Sequence, residues 1–396
     1  MSAAFPSRRA VLRGLLGAGA VALGATACTA EDATPGDSGE TTAGPGASGG
    51  ASTGSPGSPG RRMGAEWGRH ERTFMAWPAS TGIWGEDLPA VREDIAGLAR
   101  AVAAYEPVVV LASANQQAAA QRACGSDTEV VAIPVDDLWA RDTVPVFVED
   151  GGTVTGVDLD FNGWGNKQRH DNDARVAQTV LAHYGIDRSQ APLVAEGGSF
   201  ETDGRGTLLV TESSVVNDNR NPGKSRQQIE DELKRTLGVT RVVWFAGVRG
   251  EDITDAHVDC LVRCAASGAV LLDTPFPGGP ADSWTRAGDE ARTVLERETD
   301  AQGKPFQIVD LPQPDPDLIT GRGDAFVSSY ANFYVANGAL FMPRFGDKRA
   351  DDRARQILRD HFPGREIVPV PIDAVASGGG GIHCATHDQP AAPAPR

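Results

Sequence analysis

The sequence predicts an α/β fold built from five related modules within a single folded domain over residues 63–390. Five segments with helical apolar spacing alternate with short apolar segments of strand length, which is the pattern of an α/β architecture. Five conspicuous polar positions recur at intervals of 54 to 67 residues, as expected if each module sends a loop to one shared site. These positions are Asp142, Glu196, His257, Asp324 and Cys384. No linker rich in proline, glycine and serine interrupts the region, so we predict no second domain boundary.

Each predicted helix leads to a strand. The first helix covers residues 87–105, because its apolar residues recur at helical spacing: Val91, Ile95, Leu98 and Val102. Pro107 ends this segment, and the apolar strand 108–112 follows. Four further helices are expected over residues 173–184, 223–237, 284–298 and 351–361. The remaining strands are expected over residues 146–148, 193–194, 206–210, 241–245, 306–309 and 366–370.

The N-terminus carries the pattern of an export signal over residues 1–27. Arg8 and Arg9 precede an uncharged apolar run over residues 14–25, which is shorter than the roughly 20 residues of a membrane-spanning helix. Paired arginines are typical of a twin-arginine signal. Cys28 follows Ala-Thr-Ala as in a bacterial lipobox, so it is either the lipidated first residue of the mature protein or a bystander beside a plain cleavage site. We therefore expect an extracytoplasmic protein, either membrane-anchored through Cys28 or secreted.

Residues 28–62 are expected to form a disordered linker, and residues 391–396 a short tail. Between residues 29 and 60 the chain has no aromatic residue, valine, isoleucine or leucine, and it is dense in glycine, proline, serine, threonine and alanine. Such a segment has almost no apolar surface to bury, so nothing offsets the entropy lost on ordering.

The composition excludes some classes of partner. The chain has 37 basic and 53 acidic residues, which gives a formal net charge of −16. Because a nucleic-acid backbone requires a basic surface, we exclude nucleic acid as a partner. The acidic excess suits a cationic ligand, or serves only solubility. Five cysteines in 396 residues are too few for a disulfide scaffold.

Cys384 is the first candidate for chemistry. Four consecutive glycines, residues 378–381, come just before it, and such a run lets the backbone approach a ligand closely. A nucleophilic cysteine is one interpretation. A small buried core residue is the other.

His257 and Asp259 are the second candidate. On a strand their side chains would point to the same face, roughly 6–7 Å apart, and a histidine beside a carboxylate can exchange protons with a thiol. The alternative is a core histidine held by a neighbouring acid. Cys260 and Cys264 follow, but they have no second pair at the spacing of a zinc site, so we expect no metal site.

Two further acids complete the set. Asp142 lies in a loop between Trp139 and the strand 146–148, and Glu196 precedes two glycines at a strand edge. Taken singly, each acid could be a solvated surface residue, or an ion-pair partner in the case of Asp142 beside Arg141. One cysteine, one histidine and three acids, each in a turn flanked by glycine or an aromatic residue, favour a shared site.

Together these segments resemble the family of agmatine deiminases and bacterial-type peptidylarginine deiminases, which modify guanidino groups. The motifs occur in order from residue 64 to 390, and the ordered set is more specific than any one of them. They comprise Glu66-Trp67, His70-Glu71, Ala76-Trp77-Pro78, Trp139 to Asp142, Phe161 to Gly165, Glu196-Gly197-Gly198, Asp203 to Thr207, His257 to Asp259, Tyr330 to Tyr334, Asn337-Gly338, and Gly379 to Cys384 with Thr386. The resemblance implies the pentein fold, a five-module α/β propeller with pseudo-fivefold symmetry, so residues 63–390 would be a single catalytic domain.

The resemblance also implies a role for each candidate. Cys384 would be the nucleophile and His257 the general acid and base. Asp142 and Asp259 would hold the guanidinium group of the substrate. Glu196 would assist at the histidine and at the substrate nitrogens.

The implied reaction converts a guanidino group to a ureido group and releases ammonia through a covalent thiouronium on Cys384, without a metal or an organic cofactor. Trp139 would form an aromatic wall of the substrate pocket. Agmatine, giving N-carbamoylputrescine, is the favoured substrate, and an arginine side chain of a peptide at the cell surface is the alternative. Two other interpretations stay open, namely a lipoprotein that binds a cation without turnover and amidino transfer to an amine. The oligomeric state is not predicted.

Overall fold

The computed structural model describes residues 60–279, 281–319, 322–323 and 325–393. The predicted export signal, Cys28, Asp324 and nearly all of the predicted linker therefore lie outside the described residues. Within the described ranges, no helix combines the length and the apolar character needed to cross a membrane.

Sixteen strands lie in the described part of the chain and form five sheets. The strands are β1 (His70–Ala76), β2 (Val108–Ala112), β3 (Thr128–Ala132), β4 (Val146–Asp150), β5 (Thr153–Asp158), β6 (Asp187–Gln190), β7 (Phe200–Thr202), β8 (Thr207–Thr211), β9 (Arg241–Phe245), β10 (Val262–Cys264), β11 (Ala269–Thr274), β12 (Gln307–Pro312), β13 (Tyr334–Ala336), β14 (Ala339–Pro343), β15 (Glu366–Val370) and β16 (His387–Pro390). The strand orders are β16-β1-β2-β3, β4-β5-β6, β7-β8-β9, β10-β11-β12 and β13-β14-β15.

Eleven α-helices connect these strands in the same described ranges. They are α1 (Thr81–Trp84), α2 (Leu88–Ala103), α3 (Gln117–Cys124), α4 (Ala140–Thr143), α5 (Gly163–Asn166), α6 (Val176–Tyr184), α7 (Glu212–Val215), α8 (Arg226–Leu237), α9 (Ser283–Arg297), α10 (Lys348–His361) and α11 (Asp373–Ala376). Short 3₁₀ turns cover Gly85–Asp87, Asp173–Arg175, Gly197–Ser199 and Val258–Cys260.

One arrangement of strands recurs in all five sheets. Two strands pair antiparallel, and a helix then leads to a third strand that pairs in parallel with the second. The first sheet takes its antiparallel strand from the far end of the domain, since β16 pairs with β1 and places His387 opposite Phe74. The loop that carries Cys384 is therefore fixed to the first module.

The predicted five-module α/β fold is confirmed. Helices α2, α6, α8, α9 and α10 correspond to the five predicted helices, and the apolar face of α2 is fully buried at Val91, Ile95, Leu98 and Val102. Burial of such a face supplies most of the stability of a helix in a folded protein. Strands 108–112, 241–245 and 366–370 have the predicted bounds.

The predicted strand 193–194 is wrong. The third strand of this module is β6, Asp187–Gln190, a polar edge strand with no apolar alternation. Leu193 is instead buried in a core cluster outside any strand. Helix α3 and strand β3 extend the first sheet by one further unit that the sequence did not predict.

Candidate active site

Functional side chains lie just before the first strand of each sheet. Asp142 and Glu196 come four residues before β4 and β7, and Asp259 and Cys384 come three residues before β10 and β16. Asn332, two residues before β13, occupies the corresponding place in the remaining module. The repeat of the fold thus delivers one polar or nucleophilic side chain from each module.

The Cys384 side chain contacts two of these residues. Its Sγ accepts a hydrogen bond of 3.2 Å from Asn332 Nδ2 and lies 3.5 Å from Asp259 Oδ2. The backbone N–H of Cys384 donates to Asn332 Oδ1 at 3.3 Å. Gly381 is required here, because a Cβ at that position would lie 2.5 Å from the same Asn332 oxygen. Asn332 therefore positions both the sulfur and its loop.

Trp139 packs against the loop of Cys384. Its side chain is buried, its ring centroid lies 6.0 Å from that of Trp84, and a Cβ at Gly380 would lie 2.3 Å from it. Trp139 does not line the cavity described below. Its assignment as a wall of the substrate pocket stays a prediction.

His257 lies among carboxylates. Its Nε2 is 3.1 Å from Glu196 Oε2, and its Nδ1 is 3.7 Å from Asp142 Oδ1. Burial disfavours the imidazolium, but the charges of Asp142, Glu196 and Asp259, with the hydrogen bond to Glu196, outweigh burial and raise the pKa of His257 to about 9. His257 is therefore protonated at neutral pH.

The expected strand geometry of His257 and Asp259 is wrong. His257 directly precedes the 3₁₀ turn Val258–Cys260, so the two side chains do not alternate on a strand. Asp255 and Ala256 both have positive φ, 60° and 63°, and turn the chain sharply before the histidine. The two residues reach one site through this turn.

Asp259 is held as a charged carboxylate with one free oxygen. Its Oδ2 lies 2.8 Å from Nδ1 of His383. Burial raises the pKa of Asp259, but the hydrogen bond with His383 and the cationic neighbours His257 and Arg263 outweigh it and lower the pKa to about 2. Asp259 is fully buried, and its Oδ1 has no hydrogen-bond partner among the described residues. This oxygen therefore keeps an unused capacity to accept a hydrogen bond.

Asp142 is fixed by two donors. Its Oδ2 accepts from the indole N–H of Trp164 at 2.9 Å, and its Oδ1 accepts from the backbone N–H of Gly198 at 3.0 Å. The considered ion pair with the adjacent Arg141 does not form, since Arg141 pairs with Glu66 and Asp388. Asp142 is thereby aimed at the site and away from its sequence neighbour.

Gly198 leaves the space that these side chains share. A Cβ there would lie 2.6 Å from His257 Nδ1, 2.9 Å from Asp142 Oδ1 and 3.2 Å from Asp259 Oδ2. Burial and the nearby charges of Glu196 and Asp259 raise the pKa of Asp142, although His257 opposes the rise. Three acids face one another here, so a bound cation would relieve their repulsion.

Glu196 is fully buried and charged. Arg220, equally buried, donates from Nε to its Oε1 at 2.7 Å and from Nη1 to Asp255 Oδ2 at 2.8 Å. Burial raises the pKa of Glu196, but the guanidinium of Arg220 and the contact with His257 outweigh it and lower the pKa. Arg220 thus keeps Glu196 ionised beside the histidine.

The free site favours the thiol form of Cys384. A hydrogen bond with Cys260 favours the thiolate, but burial and the charges of Asp259 and Asp142 outweigh it and raise the pKa of Cys384. A cation bound among the acids would shift this balance towards the thiolate. The geometry therefore suits a nucleophile that is activated when a cationic ligand binds.

A cavity of about 260 Å³ opens onto Cys384, His257 and Asp259. Its lining includes three aromatic side chains and three further acids: Phe276, Trp284, Phe326, Asp252, Asp273 and Asp282. Among the described residues that line it there is no lysine or arginine. Such a cavity is suited to a small cation with an apolar chain.

Several residues of the site had no role in the sequence prediction. Asn332, Glu66 and His383 lie inside recognised motifs, and only their tertiary contacts show what they do. Arg220 and Arg263 carry no periodic or compositional signal. The position before each first strand is the one signal that could have identified Asn332, because it is shared with Asp142 and Cys384.

Five modules around a cysteine, a histidine and buried acids define the pentein class of guanidino-modifying enzymes. The family model for the Porphyromonas-type peptidyl-arginine deiminase matches residues 62–390. The chain belongs to this family, and it is a hydrolase of carbon–nitrogen bonds in amidine groups.

Similar proteins match most of this chain and nearly all of their own. The agmatine deiminase of Stutzerimonas stutzeri is 37% identical over 364 residues, covering 85% of this chain and 97% of the relative. The agmatine deiminase of Medicago truncatula is 34% identical over 364 residues, covering 84% and 97%. The solved structure of the agmatine deiminase of Enterococcus faecalis has a TM-score of 0.78 and 31% identity, covering 84% of this chain and 96% of its own. The pentein fold predicted from the motifs is confirmed.

Proposed function

We propose that this protein hydrolyses agmatine to N-carbamoylputrescine and ammonia through a covalent intermediate on Cys384. The observation that carries the proposal is the convergence of the Cys384 sulfur, a protonated His257 and the charged carboxylate of Asp259 at an acidic cavity. The similarity to proteins named agmatine deiminase supports the choice of substrate.

Binding of the guanidinium would use the acids of the site. A planar cation with several N–H donors needs fixed acceptors, and Asp259 Oδ1 is buried without a partner. Asp142, held by Trp164 and Gly198, would face the group from another side. The two carboxylates would orient the central carbon towards the Cys384 sulfur.

The first half-reaction forms a thiouronium. The positive charge of the bound substrate favours loss of the thiol proton of Cys384 to solvent, and the thiolate attacks the guanidinium carbon. As the carbon–nitrogen bond breaks, His257 gives its proton to the departing nitrogen, which leaves as ammonia. Glu196 stabilises the imidazolium before this transfer.

The second half-reaction releases the product. His257, now neutral, takes a proton from water while the oxygen attacks the thiouronium carbon. The carbon–sulfur bond breaks, Cys384 leaves as the thiolate, and the hydroxyl proton of the adduct passes to solvent. The products are a ureido compound and ammonia, with His257 protonated again.

The cavity favours agmatine over an arginine side chain of a peptide. Agmatine carries a second cation at its far end, and Asp252, Asp273 and Asp282 lie in the cavity wall. A peptidyl arginine has amide groups there instead. The description of the family and the sequence pattern of an export signal favour the peptide substrate, so both are tested together.

Ammonia release from agmatine, free arginine and a short arginine peptide separates these substrates. We expect kcat/KM for agmatine to exceed the other two by about 10²-fold, because the acids of the cavity wall attract its terminal amine. A peptidyl arginine lacks this amine, and in free arginine the α-carboxylate offsets the charge of the α-amino group. A preference for the peptide would transfer the proposal to protein citrullination. Tight binding without ammonia release would indicate a binding protein, and product formed only with an added amine would indicate amidino transfer.

We also propose export through the twin-arginine signal with a lipid on Cys28. The support is the sequence pattern around Arg8, Arg9 and Cys28. In cell fractionation, Cys28→Ala should move the protein from the membrane to the soluble extracytoplasmic fraction. The double variant Arg8→Lys, Arg9→Lys should stay in the cytoplasm. An unchanged distribution of both variants would refute export by this route.

A further inference from the structure

We propose that Asp259, Cys260 and Cys384 form a binding site for a thiophilic divalent cation such as Zn²⁺, and that the bound ion blocks the active site. This site does not use the Cys260 and Cys264 pair, for which the sequence predicted no metal site. It pairs Cys260 with a cysteine 124 residues further along the chain. Metal binding does not depend on the proposed deimination, and only the inhibition does.

The three donor groups already lie together. One atom of each, the two Sγ atoms and a carboxylate oxygen, all lie within 4.8 Å of one another. Asn332 Nδ2 lies 3.2 Å from the Cys260 sulfur and 3.2 Å from the Cys384 sulfur, so a single amide group holds both thiols at one point. Both cysteines are free and half-buried.

The spacing fits tetrahedral zinc. With Zn–S bonds of about 2.3 Å and Zn–O bonds of about 2.0–2.2 Å, a sulfur and an oxygen bound to one ion are about 3.5 Å apart. The Cys384 Sγ and the Asp259 Oδ2 are 3.5 Å apart. The Cys260 Sγ lies at most 4.8 Å from these atoms. Two sulfurs bound to one tetrahedral ion are about 3.8 Å apart, and a small rotation of the Cys260 side chain would reach this distance.

The surroundings of the donors resemble those of a metal site. His383 contacts Asp259 Oδ2 at 2.8 Å and Glu66 at 2.8 Å, which holds the carboxylate as outer-shell partners do. Asp259 Oδ1 is buried without a partner and offers a further acceptor. Two thiolates select a soft or borderline ion over Mg²⁺ or Ca²⁺. Each thiol would release its proton to solvent on binding.

The ion would compete with the substrate. Asp259, Cys260 and Cys384 all line the 260 Å³ cavity, so an ion has access from solvent. Zinc bound there would occupy the sulfur that attacks and the carboxylate that holds the guanidinium. Water would complete the coordination.

Titration of the full chain with Zn²⁺ and with Co²⁺ in a phosphine reductant tests the proposal. We expect one equivalent of Zn²⁺ and, with Co²⁺, an absorption band of thiolate-to-cobalt charge transfer that agmatine suppresses. Cys260→Ala should weaken Zn²⁺ binding at least about 10-fold, since it removes a ligand and loss of even an outer-shell partner costs about 10–100-fold. Cys124→Ala, which removes a buried thiol in the core next to α2, should bind as the wild type does.

Inhibition is read as the ratio of rates with and without Zn²⁺ within each variant. If Cys260→Ala does not fold, Cys260→Ser takes its place, and the wild-type cobalt spectrum is an independent criterion. No binding, binding without the charge-transfer band, or equal affinity in the Cys260 variant would each overturn the proposal. Bound zinc in a protein that does not release ammonia would support the site and contradict the proposed deimination.

Discussion

His257 Nε2 lies 3.1 Å from Glu196 Oε2, and Arg220 holds the same carboxylate from its other side at 2.7 Å. The buried arginine keeps the acid ionised, and the ionised acid keeps the imidazole protonated. The proton that the leaving nitrogen needs is therefore in place before the substrate arrives. This relation makes the pH dependence of the reaction a direct test of the site.

The alkaline limb of kcat/KM should lie near pH 9 and depend on Glu196. Activity should fall as the pH rises through about 9, because His257 then loses the proton that ammonia must take. Glu196→Gln removes a partner that raises this pKa, so the limb should move to lower pH by at least about one unit. Stopped-time ammonia assays from pH 6 to 10 measure it.

Glu298→Gln is the control for this shift, since that exposed acid pairs with Arg241 away from the site. Its profile should match that of the wild type. A Glu196→Gln enzyme with an unshifted alkaline limb would show that this carboxylate does not set the protonation of His257.

His383 should control the acid limb through Asp259. His383→Phe removes the hydrogen bond that helps to lower the pKa of Asp259, so that pKa should rise from about 2 and the acid limb should move to higher pH. KM for agmatine should also rise, because the protonated acid no longer attracts a guanidinium. His383→Asn, which keeps an N–H donor, should shift the acid limb less than His383→Phe does. If His383 had a purely structural role, the acid limb would stay in place in both variants.

Gly198 should not tolerate a side chain. In Gly198→Ala the added carbon would enter the space between His257, Asp142 and Asp259, at 2.6 to 3.2 Å from their polar atoms. The neighbouring side chains would have to move away from the added carbon, and a misplacement of about 1 Å in a catalytic site costs about 10²-fold in rate. Gly64→Ala, where nothing lies within 4 Å of the added carbon, is the matched control. Equal kcat in the two folded variants would contradict the packing described here.

Arg263 should contribute more to stability than an exposed cation does. Its guanidinium is buried and contacts Glu201 at 2.7 Å and Glu66 at 3.1 Å. Arg263→Met leaves the buried Glu201 without the cation it pairs with and removes one of the partners of Glu66, so urea unfolding should show a loss of about 3–5 kcal/mol. Lys348→Met breaks only an exposed pair with Asp352 and should change stability by less than about 0.5 kcal/mol. Similar losses would argue against a structural role for the buried network.

The modular plan could be predicted because burial is periodic where a helix covers a sheet, as in α2 with Val91 and Ile95. The polar edge strand β6 was missed because it has no apolar alternation; backbone pairing with β5 and a side-chain contact of Arg188 with Asp158 hold it in place. The predicted strand geometry of His257 was wrong because the chain turns with positive φ at Asp255 and Ala256. Neither residue is a glycine, so the sequence gives no sign of this turn. Contacts such as those of Asp255 compensate for this strain, and they form only in the folded chain.

The ordered motifs identified one cysteine, one histidine and three acids as site residues. The structure brings them together: Cys384, His257, Asp259, Asp142 and Glu196. The contacts made by their supporting residues could not be predicted. Arg220 contacts Glu196, which lies 24 residues away in the sequence, and Asn332 contacts Cys384, which lies 52 residues away. Such contacts depend on how the modules pack, which no local pattern encodes.

Mass spectrometry of the protein quenched in acid during turnover of agmatine tests the central claim most directly. A thiouronium on Cys384 adds about 113 Da, the mass of agmatine less ammonia, to the peptide that contains this residue. We expect this adduct in the wild type and its absence, together with the loss of ammonia release, in a folded Cys384→Ser variant. Ammonia release by Cys384→Ser at the wild-type rate, or an adduct on another residue, would contradict the account.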